Sequence, residues 1–160
     1  MDNISQYLGE KLLSNSWKIS VAESCTGGLI SKMMTDIAGS SQWFDRGFVT
    51  YTNEAKVDML GVSESTLEAY GAVSLQTVEE MAAGVLMNSL AEISLAISGI
   101  AGPSGGSAEK PVGTVCFAWA NKQGQSFSEV ELFTGDRETI RLKAANHALE
   151  GVVRHFFSNK

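Results

Sequence analysis

The sequence is poor in the residues that mark the specialised classes of protein. Its 160 residues include only two cysteines, Cys25 and Cys116, which are too few and too widely separated for a disulfide scaffold or a zinc site. Only two prolines are present, and the chain contains no repeat and no low-complexity tract. These shortages exclude the collagen-like, disulfide-rich and disordered classes, and they leave an ordinary globular domain.

Long apolar runs and basic clusters are also missing. No stretch approaches the roughly 18 consecutive apolar residues that a membrane span needs. Residues 1–4 lack the basic and apolar regions of a signal peptide, so we expect a cytoplasmic protein without a membrane partner. The formal net charge is −6 and the 12 Lys and Arg residues are dispersed, which disfavours a nucleic-acid partner.

What the sequence does contain is a regular alternation of helical and extended patterns. Because 44% of the residues are hydrophobic, the chain can form one substantial core, and we predict a single domain over residues 1–160. Helices that alternate with strands, with one hairpin, predict the α/β class: a single layered domain with a mixed sheet flanked by helices. The predicted strands are 17–22, 43–52, 93–98, 111–120 and 126–133, and the predicted helices are 4–14, 26–37, 54–60 (capped by Asn53), 64–70, one that begins after Ser74, and 137–157.

The turn that follows the first predicted strand is the first candidate for chemistry. Open α/β folds bind ligands where their strands end, so the Ser24 hydroxyl stands where a nucleophile is needed, and the helix N–H groups after it can stabilise an oxyanion. Thr26, Gly27 and Gly28 are candidate substrate-binding residues, and the two glycines allow a substrate to contact bare backbone. Two other interpretations stay open: Ser24 or Thr26 caps the helix, and Cys25 is a rival nucleophile or a small buried residue.

A serine nucleophile needs a group that accepts its proton. His147 and His155 lie about 80° apart around the last predicted helix, so the sequence gives little support for a Ser–His–Asp triad. Better candidates are Tyr51, which ends a predicted strand, and Lys56, in the first turns of the next helix; both can face the sheet edge that carries Ser24. Lys56 can act as a base only where burial or nearby cations lower its pKa, and otherwise it is a solvated helix lysine.

A glycine-rich loop and two arginines are candidates for holding a substrate. The loop contains Gly99 and Gly102 and follows a predicted buried strand, so it either presents backbone donors to a phosphate or sugar, or is a plain surface turn. Thr114 lies where the chain returns to the sheet and is predicted to face inward. Arg137 and Arg141 are four residues apart and share one face of the last helix, where they either bind an anionic group or are compensated by neighbouring acids.

Four segments follow one another in an order that is typical of one family. They are AESCTGG at 22–28, GFVTYTNEAK at 47–56, SGIAGP at 98–103 and KPVGTV at 110–115. Together they resemble the C-terminal domain of the competence-damage-inducible protein CinA, in particular the stand-alone bacterial nicotinamide mononucleotide deamidases of that family.

The resemblance implies hydrolysis of the carboxamide of nicotinamide mononucleotide, giving nicotinic acid mononucleotide and ammonia. It implies that Ser24 is the nucleophile, that Tyr51 and Lys56 take part in its activation, and that no metal or other cofactor is required. The expected partner is this small-molecule substrate. A non-catalytic mononucleotide-binding module and an amidase for another small amide are the alternatives. The apolar faces of the long helices fit a homo-oligomer as well as a single core.

Overall fold

The structure, a computed structural model, describes residues 3–158. The helices are α1 (Ile4–Ser14), α2 (Leu29–Thr35), α3 (Asn53–Leu60), α4 (Glu64–Tyr70), α5 (Leu75–Met87) and α6 (Arg137–Phe156). The strands are β1 (Ile19–Glu23), β2 (Phe44–Val49), β3 (Ile93–Gly99), β4 (Thr114–Asn121) and β5 (Ser126–Leu132), and a 3₁₀ turn spans Ser40–Gln42. Within residues 3–158, no helix is both long enough and apolar enough to cross a membrane.

The five strands form one mixed sheet in the order β2-β1-β3-β4-β5. β1 pairs in parallel with β2 and β3, whereas β4 and β5 are added antiparallel. The carboxyl ends of the three parallel strands therefore meet at one edge, and the segments that follow Glu23, Val49 and Gly99 lie side by side there. The predicted α/β class, with a mixed sheet flanked by helices, is confirmed.

Helices cover both faces of the sheet and divide the core into two parts. On one face, α1, α2 and α6 enclose the larger side chains, among them Leu95 and Trp119, which are fully buried. On the other face, α5 packs against Ala22, Ala96 and Ala118, which are neighbours in register on β1, β3 and β4. Such small side chains leave room for close helix packing, and α3 in turn packs against α5.

The ends of some elements differ from the predicted ones. α2 begins at Leu29 because Gly27 and Gly28 have φ angles of +58° and +109°, which keep the preceding residues in a turn. The prediction that Asn53 caps the third helix is wrong. Thr52 is the N-cap, and its hydroxyl accepts a hydrogen bond from the amide three residues later at 3.1 Å.

Candidate active site

Ser24 begins the turn that connects β1 with α2. Its amide donates to the Ile97 carbonyl at 3.1 Å, which extends the pairing of β1 with β3 by one residue. The Gly27 amide donates to the Ser24 carbonyl at 3.1 Å, and the left-handed conformation of Gly27 and Gly28 then leads the chain into α2. Ser24 is thereby held at the carboxyl edge of the sheet, with 7% of its surface exposed.

Glu23, the last residue of β1, is a buried carboxylate that the sequence analysis did not single out. It is 0% exposed, and its two oxygens accept five hydrogen bonds of 2.7–3.1 Å. An acidic residue shortly before a predicted helix is the signal that points to it, because carboxylates pair with the free N–H groups of a helix N-terminus. The donors are the hydroxyls of Thr26 and Ser31 and the amides of Gly28, Ile30 and Ser31.

Hydrogen bonds within the turn show which of its amides are available to an oxyanion. The Gly27 and Gly28 amides already have acceptors, in the Ser24 carbonyl and the Glu23 carboxylate. Among residues 3–158, the amides of Cys25 and Thr26 donate to no main-chain carbonyl and no side-chain oxygen. The two amides that directly follow Ser24 are therefore the donors that the turn leaves for a ligand.

Arg141, which the sequence predicts as an anion-binding residue, contacts this turn and does not line the cleft beside Ser24. Its Nε donates to the Cys25 carbonyl at 3.0 Å and its Nη2 donates to the Thr26 carbonyl at 2.9 Å. Because the C=O and N–H of a trans peptide point in opposite directions, holding the Cys25 carbonyl also fixes the direction of the Thr26 amide.

Lys56 lies in the first turns of α3 and reaches across to Ser24. Its Nζ is 3.0 Å from the Ser24 Oγ and 2.9 Å from the Thr50 carbonyl oxygen, and only 1% of the residue is exposed. The alternative of a solvated helix lysine is therefore wrong. Burial lowers the pKa of Lys56, because the charged ammonium form is poorly solvated there. No carboxylate within residues 3–158 forms a salt bridge that would stabilise the ammonium form.

Cys25 lies next to Ser24 in the same cleft, but its thiol is a poor rival nucleophile. Burial raises the pKa of Cys25 to about 11, so the thiol is protonated near neutral pH. The histidines are also remote from the cleft: His147 pairs with Glu129 of β5 at 3.1 Å. No histidine is among the residues that surround Ser24.

Tyr51 and Arg137 form a pair at the mouth of the cleft. The Arg137 Nη2 donates to the Tyr51 hydroxyl at 3.0 Å, and its Nη1 donates to the Gly102 carbonyl at 2.8 Å. Tyr51 is 56% exposed, and within residues 3–158 its hydroxyl shares no hydrogen bond with Ser24 or Lys56. The pair thus connects the end of β2, the glycine-rich loop and the start of α6.

The cleft has a volume of about 230 Å³ and contains several of the predicted residues. Thr114 is not among them, because it lies beside Cys116 in a neighbouring cavity, where its hydroxyl donates to the Pro111 carbonyl. Asn53 and Ser98 also line the cleft and are not predicted from the sequence, since only the folded sheet edge shows which side chains face inward. The cleft is lined by Ser24, Cys25, Tyr51, Asn53, Lys56, Ala72, Val73, Ser98, Gly99, Ala101 and Arg137.

Comparison with known sequences agrees with the resemblance seen in the four segments. Residues 1–156 match the model of the CinA C-terminal domain family. The nicotinamide-nucleotide amidohydrolase PncC of Enterobacter agglomerans is 57% identical over 159 residues, which are 99% of this chain and 97% of that protein. The protein of the same name from Escherichia coli strain K12 is 51% identical over 156 residues, 98% of this chain and 94% of that one.

Solved structures agree in fold. The competence/damage inducible protein CihA of Agrobacterium tumefaciens superposes with a TM-score of 0.92 at 47% identity, covering 94% of this chain and 92% of that one. A CinA superfamily protein from Escherichia coli superposes with a TM-score of 0.91 at 38% identity, covering 95% of this chain and 88% of that one. The chain belongs to the CinA C-terminal domain family.

Proposed function

We propose that this protein is an amidohydrolase that converts nicotinamide mononucleotide to nicotinic acid mononucleotide and ammonia, with Ser24 as nucleophile and Lys56 as base. The observation that carries the proposal is the 3.0 Å contact between the Lys56 Nζ and the Ser24 Oγ in a cleft, where Lys56 is buried and forms no salt bridge with a carboxylate of residues 3–158. The names of the relatives that share about half of its residues support the same substrate.

Acylation begins with a proton transfer. Neutral Lys56 accepts the Ser24 hydroxyl proton while the Ser24 Oγ attacks the carboxamide carbon, and the carbonyl oxygen becomes an oxyanion. The amides of Cys25 and Thr26 are placed to donate to that oxygen, because they follow the nucleophile directly and have no other acceptor in the turn. Donors fixed before the reaction stabilise the developing charge without reorganisation.

Loss of ammonia completes acylation, and attack of water then begins deacylation. The Lys56 ammonium gives its proton to the leaving nitrogen, the C–N bond breaks, and ammonia departs from a Ser24 acyl ester. A water molecule then loses a proton to Lys56 and attacks the ester carbon. Collapse of the second tetrahedral intermediate returns the proton from Lys56 to the Ser24 Oγ and releases nicotinic acid mononucleotide, whose new carboxyl group loses its proton to water. One water is consumed and one ammonia is released for each turnover.

We place the phosphate and ribose of the substrate toward the mouth of the cleft. Arg137 is the one cation besides Lys56 among the described residues that line the cleft, and a guanidinium is well shaped to bind phosphate. Gly99 lines the same cleft, and the Gly102 carbonyl accepts a hydrogen bond from Arg137. Tyr51 is assigned here to orienting Arg137, because its hydroxyl contacts the guanidinium and not the Ser24–Lys56 pair.

The test measures ammonia release from nicotinamide, its riboside and its mononucleotide, using the native chain, Ser24→Ala and Arg137→Ala. We expect release by the native chain, with the mononucleotide preferred, and none by Ser24→Ala. Arg137→Ala should raise KM for the mononucleotide by about tenfold or more, the effect of one lost hydrogen bond to a charged group, and leave the riboside unaffected.

Each arm of this experiment addresses one part of the proposal. A native chain that binds the mononucleotide without releasing ammonia is a binding module and contradicts the activity. Turnover by Ser24→Ala at the native rate contradicts the assignment of Ser24 as the nucleophile. Equal efficiency with riboside and mononucleotide contradicts the phosphate contact of Arg137.

A further inference from the structure

The carboxylate of Glu23 stands directly behind the nucleophile. It belongs to the residue that precedes Ser24, yet it takes no part in the proton transfers of the proposed reaction. Its five hydrogen bonds all come from residues 26–31, the segment that follows Ser24 and begins α2. Burying a carboxylate completely costs desolvation free energy. The five hydrogen bonds that Glu23 accepts offset this cost.

These hydrogen bonds connect the residue before Ser24 with the segment after it. Glu23 is fixed by the parallel pairing of β1, with its neighbours at Val49 and Ile97. Its side chain then holds Thr26 and the start of α2 close to the end of β1. Ser24 and Cys25 lie between these two fixed points, so their backbone conformation is restricted. The conformation of this turn sets the direction of the Ser24 Oγ toward Lys56. It also sets the directions of the Cys25 and Thr26 amides.

We infer that Glu23 is a positioning residue for catalysis: its carboxylate holds the turn in the one shape that aligns the Ser24 Oγ with Lys56 and with the amides of Cys25 and Thr26. This inference rests on the proposed function. Glu23 touches neither substrate nor the reacting atoms and acts only through residues 26–31, which it holds against the end of β1. Loss of hydrogen bonds to Glu23 should therefore lower kcat and leave KM unchanged.

Graded variants test the inference. Thr26→Val and Ser31→Ala each remove one hydroxyl that donates to Glu23, and Glu23→Gln replaces one acceptor oxygen with an amide that faces N–H donors. We expect kcat to fall in each single-hydroxyl variant and by about a hundredfold in Glu23→Gln, as for a misplacement of about 1 Å. Thr35→Val is the matched control, because its hydroxyl lies on the same helix, is exposed and donates only to backbone carbonyls.

A second measurement does not depend on the substrate. Ser24 is labelled with a fluorophosphonate, in which the Ser24 Oγ attacks phosphorus and fluoride leaves, and the rate is followed by intact mass. We expect slower labelling in the Glu23 and Thr26 variants than in the native chain and Thr35→Val, at temperatures where all four are folded. Native labelling without ammonia release contradicts the proposed function alone, and the labelling rates still decide the role of Glu23.

Three results would overturn the inference. The first is native kcat and native labelling rate in Thr26→Val and Ser31→Ala, which stay informative even where Glu23→Gln does not fold. The second is a loss of activity that follows the melting temperature and disappears on cooling, as for a purely structural residue. The third is the absence of Ser24 labelling in the native chain together with the absence of turnover.

Discussion

Lys56 is buried and has no carboxylate partner within residues 3–158, and this combination makes it suitable as a base. A lysine on the surface stays protonated near neutral pH and cannot accept a proton. Here the side chain is 1% exposed and its Nζ contacts a hydroxyl and a carbonyl oxygen, which accommodate a neutral amine. Desolvation disfavours the ammonium form and lowers the pKa of Lys56 from its ordinary value of 10.5.

The pH dependence of the reaction should report this lowered pKa. We expect kcat/KM to rise with pH as Lys56 loses its proton, with a midpoint below 10.5, because only the neutral amine accepts the Ser24 proton. Lys56→Arg cannot deprotonate and should lose about a hundredfold or more in kcat/KM. The measurement is ammonia release between pH 6 and 10, a range that brackets the lowered lysine pKa values at which catalytic lysines work, about 7–8.

Lys32→Arg is the control for this variant, since Lys32 is exposed and pairs with Asp36 on the surface of α2. Its pH profile should match that of the native chain. Activity of Lys56→Arg at the native level would contradict the assignment of Lys56 as the base.

At the scale of elements, the short helix α3 carries Lys56 to Ser24. It is only eight residues long, and its interior side chains are few: Lys56 and Leu60 are the buried ones. A helix this short is marginal by itself, so its N-cap and its packing on α5 hold it in place. The Thr52 hydroxyl supplies the cap by accepting the Ala55 amide.

Removing the cap should destabilise the helix that presents the base. Thr52→Ala should lower the free energy of unfolding by about 1 kcal/mol, the usual cost of losing a capping hydroxyl. The matched control is Ser63→Ala, because Ser63 is the N-cap of the neighbouring short helix α4 but makes no capping hydrogen bond with its side chain. Urea denaturation measures the free energy of unfolding of both variants. An equal loss of stability in the two would contradict a stabilising role for the Thr52 cap.

At the scale of the whole molecule, the site depends on a sheet edge that brings distant segments together. Ser24 and Lys56 lie in the segments that follow β1 and β2, and the parallel pairing of these strands makes the two segments neighbours. Arg137, at the start of α6, joins them by donating to the Gly102 carbonyl in the segment that follows β3. The row of Ala22, Ala96 and Ala118 allows α5 to pack closely on the sheet, and α3 packs on α5. The packing of the core therefore fixes the distance between Lys56 and Ser24.

The burial of Lys56 also affects the stability of the molecule. Between the lowered folded pKa and 10.5, the unfolded chain binds a proton at Lys56 that the folded chain releases, so the free energy of unfolding rises with pH in that window. Lys56→Met removes this titration. We expect the stability of the native chain relative to Lys56→Met to be lowest at low pH and to recover as pH rises toward 10.5.

Urea denaturation at several pH values measures this difference. Ser24→Ala serves as the control, because it keeps the lysine and should follow the pH dependence of the native chain. A constant difference between the native chain and Lys56→Met across the window would contradict the linkage. Such a stability cost at an active-site residue is common, because function there competes with stability.

Much of this description could be predicted from the order of residues. Alternating apolar patterns and turn residues identified the strands and helices, since side-chain period and backbone preference are local properties. The four segments led to the family, which the comparisons confirm. They also selected Ser24 and Lys56 for catalysis, an assignment that stays a prediction until turnover is measured.

Only the tertiary structure decided how the charged side chains are used. Arg137 and Arg141 share a helix face in the sequence pattern, yet Arg137 borders the cleft and Arg141 holds the turn that carries Ser24. Likewise, Glu23 follows the predicted strand 17–22 and has no assigned role in the sequence, whereas the structure shows its five donors. The reason is physical: burial and hydrogen-bond partners come from segments that are far apart in sequence, and they set the pKa and orientation of each group only after the sheet has brought those segments together.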